Sequence, residues 1–306
     1  MVNISLLGCG TWGSALAQVV AENGHRVTAW HYKKDVLDIR ALSRKHPRLK
    51  GLIFHDNIHF EHDLAASLTK AQCIIVAVPS HAVRKIMAQS KPFIPKKAVI
   101  VNVAKGIEND TLKTMSEVIA ISLNHDMNKI VSLYGPSHAE EVVANYPTTL
   151  VSASSSQKSA SYVQKIFSSE TLRVYRNHDI RGVELGGSLK NVIAIAAGIC
   201  DGIGFGDNTK AALLTRGIYE ITQLGIAMGA IAETFSGLSG VGDLIVTCYS
   251  RHSRNRFVGE EIGKGKPLDL ILNKMEMVAE GIKTTKSVRD LSIKYHVEMQ
   301  IGRAHV

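Results

Sequence analysis

The chemistry in this sequence is best read outward from one lysine. Between Glu184 and Asp201 the only charged side chain is Lys190, and apolar residues surround it at helical spacing. Such a segment predicts a buried helix carrying a single cation. Gly186, Gly187, Ala194 and Ala197 lie three or four positions from Lys190 and share its face, so small side chains leave room for something to approach the ammonium. Desolvation lowers a lysine pKa toward the range useful for proton transfer, although a packed stem with its head turned to water is the simpler reading of this stretch alone.

Other groups of chemical interest are spread along the chain. Gly8-Cys9-Gly10-Thr11-Trp12-Gly13 lies between an apolar run and a helix-patterned stretch, the setting in which GxGxxG cradles a dinucleotide diphosphate. In that pattern Gly8 makes the tight turn, Gly10 admits the pyrophosphate and Gly13 allows close helix packing. After the second apolar run there is no acidic residue to hold a ribose 2′-hydroxyl. His31-Tyr32-Lys33-Lys34 stands there instead and favours NADP over NAD. Lys105 follows a third strand-like run, at the sheet edge where ligands bind in open α/β folds. Gly135 and Ser137 sit in another strand-to-helix turn and present backbone and hydroxyl groups to a ligand or cap the helix. Farther on, a glycine-rich turn carries Asp243 and leads to Ser253-Arg254-Asn255-Arg256. Ser253 is placed to cap a helix there, and the next three residues to add donors for a dianion.

The elements that must position these groups alternate strand and helix over the first 180 residues. Strands are expected at Asn3 to Leu7, His25 to Trp30, Cys73 to Val78, Ala98 to Val103, Lys129 to Tyr134, Thr148 to Ser152 and Leu172 to Arg176. Helices are expected at Ser14 to Asn23, Asp35 to Arg44, Asp63 to Lys70, after Pro79-Ser80, and at Ser156 to Ser168. Beyond residue 180 strand signals stop and helical periodicity continues. The expected fold class is therefore α/β: a doubly wound dinucleotide-binding Rossmann domain over residues 1–180, then an all-helical substrate-binding domain over 181–306.

Bulk properties agree. A chain of 306 residues exceeds the usual size of a single core, and 45% hydrophobic residues with no low-complexity tract describe a globular protein. The 36 Lys and Arg against 27 Asp and Glu leave +9, suited to anionic metabolites and too diffuse for a nucleic-acid surface. Cys9, Cys73, Cys200 and Cys248 lack metal-ligand or disulfide spacing, so free thiols in a reducing cytoplasm, and no metal, are expected. The longest apolar run near Lys190, Val192 to Cys200, is too short for a membrane span, and no basic region precedes the first apolar run as a signal peptide requires.

Taken together, Gly8-Cys-Gly-Thr-Trp-Gly13, Val103-Ala-Lys-Gly-Ile107, Gly135-Pro-Ser-His-Ala-Glu-Glu-Val142, Leu185-Gly-Gly-Ser-Leu-Lys-Asn-Val-Ile-Ala-Ile195, Asp201-Gly-Ile-Gly-Phe-Gly206 and Ser253-Arg-Asn-Arg256 closely resemble the bacterial NAD(P)-dependent glycerol-3-phosphate dehydrogenases. The resemblance runs in order from the first strand to about Met299. It implies reversible reduction of dihydroxyacetone phosphate by NADPH or NADH to sn-glycerol 3-phosphate, for glycerophospholipid synthesis in the cytoplasm. It further implies Lys190 as the proton donor and acceptor, with Lys105 and Asp243 beside it. Substrate contacts would come from Lys105, Gly135, Ser137, Lys190, Asp243, Ser253, Arg254 and Asn255. Cofactor contacts would come from Gly8, Gly10, Thr11, Trp12, Gly13, Tyr32, Lys105, Ala139, Arg254, Val278 and Glu280. The expected partners are the small-molecule substrate and a second copy of the chain in a homodimer, without nucleic acid or membrane insertion.

One departure concerns the end of the chain. Members of the family continue with further helices where Glu298-Met-Gln-Ile301 is here followed only by Gly-Arg-Ala-His-Val306, so C-terminal helices are expected to be missing. Two competing readings remain: a related two-domain dehydrogenase acting on another hydroxy acid or a sugar acid, and a non-enzymatic NADPH-binding module.

Overall fold

Continuous apolar runs bounded by glycine and proline turns become the buried strands of a computed structural model that describes residues 1–275 and 278–303. The chain divides into two compact units. The first comprises Met1–Ala104, Met115–Leu133 and Ser137–Ile180, and the second comprises Lys105–Thr114, Tyr134–Pro136 and the chain from Arg181 onward.

In the first unit β1 (Asn3–Leu7), α1 (Thr11–Glu22), β2 (Arg26–Trp30), α2 (Lys34–Ser43), β3 (Ile58–Glu61), α3 (Leu64–Leu68), β4 (Cys73–Val76), α4 (Val83–Ser90), β5 (Val99–Asn102), α5 (Met115–Leu123), β6 (Ile130–Tyr134), α6 (Ala139–Val143), β7 (Thr148–Ala153), α7 (Gln157–Phe167) and β8 (Leu172–Asn177) follow in order. The strands form one sheet ordered β3-β2-β1-β4-β5-β6-β7-β8. Pairs β1–β2, β1–β4, β2–β3, β4–β5, β5–β6 and β7–β8 are parallel. The order of the first six strands reverses direction between β1 and β4, the position where α/β sheets open a crevice for ligands. Because side chains alternate across a strand, Leu6 enters a core with Leu16, Val20 and Val101, while Leu7 enters the core on the opposite face with Ile74, Val83 and Met87.

Strand β3 was not expected. It lies at the sheet edge, has only four residues, and its Ile-His-Phe-Glu pattern buries only Ile58 fully, so it lacks the apolar run that marks the central strands. Helix α1 starts at Thr11 rather than Ser14 and closes at Asn23, with Gly24 at φ +81° ending it. Asp63 caps α3 by accepting from the Ala66 N–H at 2.8 Å.

The second unit is helical, with α8 (Ile180–Ile203), α9 (Asp207–Ala227), α10 (Ala232–Phe235), α11 (Asp243–Tyr249), α12 (Arg254–Gly263), α13 (Leu268–Lys274), α14 (Glu280–Lys294) and α15 (Gln300–Arg303). Leu185, Leu189, Val192 and Ile193 of α8 pack with Leu214, Ile221 and Leu224 of α9 and with Val288 and Leu291 of α14. At 24 residues α8 is longer than the apolar run alone suggested, and it is long and apolar enough to cross a membrane; 94% of its most apolar window is nevertheless buried within the protein, as in a core helix. Helices α8 and α12 cross closely. A Cβ on Gly198 would lie 2.0 Å from the Arg256 carbonyl oxygen, and one on Gly259 would lie 1.9 Å from that of Ile195.

Candidate functional site

The glycine turn after β1 belongs wholly to the first unit. Gly8 adopts φ +108°, and a Cβ there would meet the Ala77 carbonyl oxygen at 2.7 Å, so both its backbone angle and its neighbour after β4 require glycine. A Cβ on Gly13 would lie 2.2 Å from the Gly8 oxygen, which ties α1 to the turn. Gly10 differs. It caps α1 at φ −69°, and a Cβ there would meet nothing within 4 Å. Among the described residues nothing demands glycine at this position, and the open space against the first turn of α1, where Thr11 and Trp12 lie half-buried, has room for a diphosphate. The residues therefore fit a dinucleotide. Gly10→Ala should leave the unfolding midpoint unchanged and weaken dinucleotide binding roughly tenfold, about 1.4 kcal/mol, by fluorescence titration.

Past β2, Tyr32 is exposed, stacks on His31 with ring centroids 4.7 Å apart, and has the Lys33 ammonium 5.8 Å from its ring. Ser137 lies half-buried before α6, which His138 caps, and Ala139 is its buried first residue.

The groups around Lys190 all belong to the second unit. Lys190 is 4% exposed, and its Nζ donates to Asp243 Oδ1, to Thr247 Oγ1 and, at 3.3 Å, to the Asp243 carbonyl oxygen. Thr247 Oγ1 in turn donates to the Asp243 carbonyl at 2.6 Å. Lys105 Nζ reaches the other carboxylate oxygen, Asp243 Oδ2, at 2.6 Å and the Gly135 carbonyl at 3.2 Å, and lies 5.6 Å from the centre of the Tyr134 ring. One carboxylate, 1% exposed, thus stands between two ammonium groups. Burial pulls Lys190 down from the ordinary lysine value, opposed by the Asp243 carboxylate and assisted by Lys105, to about 7.

Local sequence explains the placement. Leu238–Gly242 forms one π-helical turn, tight enough that a Cβ on Gly240 would lie 1.9 Å from the Phe235 carbonyl oxygen. That turn delivers Asp243 as the first residue of α11, where the helix dipole favours a carboxylate. It also packs on α8 one turn before Lys190, since a Cβ on Gly186 would lie 2.7 Å from the Ser239 carbonyl oxygen. A Cβ on Gly187 would meet the Tyr134 ring at 2.5 Å. Of the small residues expected to leave room for a ligand beside Lys190, Gly186 and Gly187 are instead covered by backbone and an aromatic ring. They bring the partners of Lys190 close rather than clearing space around it.

The basic cluster divides in two. Ser253 caps α12, accepting from the Arg256 N–H at 3.2 Å. Arg256 was expected as an anion donor, but its Nε donates to Asp201 at 2.7 Å, and Asp201 also receives Lys210 at 2.8 and 2.9 Å. That triad, absent from the sequence reading, engages Arg256, whose Nη1 also lies 3.5 Å from Glu260 Oε2. Arg254 Nη1 donates to the exposed Val278 carbonyl at 2.8 Å. Asn255, buried, accepts the Gly281 N–H on Oδ1 at 2.9 Å, beside Glu280 at the start of α14. Thr247, like the Tyr134 ring beside Lys105, is a member of the lysine cluster that sequence reasoning missed. Its i+4 spacing from Asp243 was the available signal. Among the described residues no group of three or more His, Cys, Asp or Glu is placed to hold a metal ion.

Comparison with known proteins supplies a family. Residues 3–160 match the model of the NAD-dependent glycerol-3-phosphate dehydrogenase N-terminus, and residues 179–305 match that of the C-terminus. The chain is 49% identical over 306 residues to a glycerol-3-phosphate dehydrogenase (NAD(P)+) from Bacillus velezensis, covering 99% of this chain and 89% of that protein. It is 50% identical over 302 residues to one from Prosthecochloris aestuarii, covering 98% and 91%. The crystal structure of glycerol-3-phosphate dehydrogenase from Coxiella burnetii superposes with a TM-score of 0.92 at 36% identity, covering 98% of this chain and 92% of that one.

Proposed function

We infer the division of labour within the site from the premise that the chain belongs to the NAD-dependent glycerol-3-phosphate dehydrogenase family and is an NAD(P)-dependent oxidoreductase of that activity. The observation that carries the reading is the buried Lys190 ammonium at a pKa near neutrality, fixed by Asp243 and Thr247. When bound, the reduced nicotinamide supplies the hydride for the C2 carbonyl of dihydroxyacetone phosphate. Lys190 stabilises the negative charge that grows on the carbonyl oxygen and delivers the proton, and it takes the proton back in glycerol 3-phosphate oxidation. Of its three bonds the 3.3 Å contact to the Asp243 carbonyl is the weakest and is the one exchanged for the substrate oxygen. Asp243 keeps both ammonium groups oriented, and Lys105, bonded also to Gly135, holds the carboxylate from its other side.

The phosphate is assigned to the start of α12, where Arg254, Asn255 and the Ser253-capped backbone supply donors. The cofactor is assigned in the first unit to Gly8, Gly10, Thr11, Trp12, Gly13, Tyr32 and Ala139. The absence of an acidic residue after β2, with Tyr32 and Lys33 there, supports NADPH over NADH. A homodimeric, cytoplasmic enzyme without membrane insertion completes the reading.

The test is an assay of NADPH and NADH oxidation with dihydroxyacetone phosphate against dihydroxyacetone. Turnover confined to the phosphorylated ketone, with its advantage abolished by Arg254→Met, is expected. Turnover of hydroxy or sugar acids in its place would remove the substrate assignment, and cofactor binding without turnover of any ketone would remove the enzymatic one.

A pH prediction follows from the Lys190 value. Oxidation of glycerol 3-phosphate needs the neutral amine, so kcat/KM should rise with pH through about 7 and level above it. Reduction needs the ammonium and should fall across the same window. Initial rates in both directions check the opposed slopes, and parallel slopes would assign the proton to another group.

A further inference from the structure

Resting on the dinucleotide reading of the glycine turn, we propose that Arg40 is a cofactor-positioning residue: it holds the Cys9 carbonyl inward beneath the turn, so that the Gly10 N–H is aimed outward at the diphosphate.

Arg40 lies on α2 and is 6% exposed. Its Nη1 donates to the Cys9 carbonyl oxygen, its Nη2 lies 3.4 Å from His46 Nε2, and its Nε is buried with no hydrogen-bond partner. A carboxylate normally accompanies a buried guanidinium. Among the described residues no carboxylate lies within ion-pair distance of Arg40; the Cys9 thiol beside it is pushed up to about 12 by burial and so stays neutral, and the charged neighbour is another cation, Arg48. His46 adds no negative charge. Its Nδ1 accepts the Arg48 and Leu49 N–H groups at 3.1 and 3.2 Å, and burial together with Arg40 and Arg48 depresses its pKa.

Two consequences follow. A trans peptide is planar, with its C=O and N–H pointing in opposite directions, so the guanidinium that holds the Cys9 oxygen, which also accepts from Ser14 Oγ at a longer 3.4 Å, helps to fix where the Gly10 N–H points. That direction matters because the space beyond Gly10 is open, whereas Gly8 and Gly13 are packed against backbone. The positive charge itself is also left without a counter-charge directly behind the turn, and the diphosphate is the anion that the turn is shaped to receive. The ligand class is thus any dinucleotide or nucleoside diphosphate, whether or not it carries a nicotinamide or a 2′-phosphate.

The experiment compares wild type with Arg40→Met and Arg40→Lys, measuring dissociation constants for NADH, ADP and adenosine by calorimetry, thermal midpoints without ligand, and steady-state constants. Arg40→Met should weaken NADH and ADP by the same factor, about tenfold or more, and leave adenosine unaffected. It should raise the cofactor KM while kcat at saturating cofactor is retained. Its ligand-free midpoint should equal or exceed that of wild type, since an uncompensated buried charge has been removed. Arg40→Lys, which keeps the charge without the fork, should fall between the two and decides the matter if Arg40→Met does not fold. NADH and ADP affinities within about threefold of wild type, or an equal loss for adenosine, would overturn the proposal. Failure of the wild-type protein to bind NADH would instead overturn the dinucleotide reading.

Discussion

Lys190→Met should lower kcat for dihydroxyacetone phosphate reduction by a factor of about 10³ or more, with NADPH affinity unchanged, because it removes both the proposed proton donor and the charge proposed to face the developing oxyanion. Methionine nearly matches the volume of the lysine stem, so the packing of α8 is retained. The carboxylate it leaves behind keeps a partner, since Asp243 Oδ2 still receives Lys105 at 2.6 Å. Activity should therefore collapse while stability changes by only about 1 kcal/mol, within the range of volume-conserving core changes. Stopped-flow single turnovers with preformed NADPH complex separate the chemical step from binding. A variant retaining a tenth of wild-type kcat would show that Lys190 is a buried structural cation.

The Asp243→Asn variant reverses that pattern and should lose both stability and activity. The substitution preserves shape and removes the negative charge that Lys105 and Lys190 share. Breaking a buried pair while leaving the cation behind costs about 3–5 kcal/mol. The cost depends on pH in a definite direction. Asp243 raises the Lys190 pKa toward about 7, so without it the amine loses its proton more readily. Below that range Lys190 is charged and the deficit is largest; as pH rises to about 9 the amine is neutral in both proteins and the deficit shrinks. Urea unfolding at about pH 6 and pH 9 measures the difference. An equal loss at both values would place the destabilisation in packing rather than charge. At either pH, kcat should fall with that of Lys190→Met, since the amine is no longer oriented.

What was legible in the sequence was local. Gly8, Gly10 and Gly13 announce a diphosphate turn because strand, turn and helix are contiguous, and Ser253 announces a cap because its partner is three residues away. Lys190 stood out as a lone cation in an apolar helix. Its partners did not, because Asp243 and Thr247 are 53 and 57 residues distant and nothing in their spacing names α8; only family resemblance placed Asp243 beside it. For the same reason Arg256 was read as an anion donor, when Asp201, 55 residues earlier, already holds it. The glycines near Lys190 misled because an unfilled side-chain position looks alike in sequence whether a ligand or the Tyr134 ring fills it. Arg40 gave no signal, since a polar residue on an exposed helix is ordinary until its carbonyl partner is seen.

The second unit takes Lys105–Thr114 and Tyr134–Pro136 from within the sequence of the first. During synthesis Lys105 leaves the ribosome 138 residues ahead of the carboxylate it binds. All eight strands are therefore available before the lysine cluster can close, and the site is a late-forming, high-contact-order feature. Any fragment beginning at Arg181 would contain Lys190, Asp243 and Thr247 but lack the second ammonium. A nascent chain paused before residue 243 would carry the complete glycine turn and both lysines, without the carboxylate that joins them.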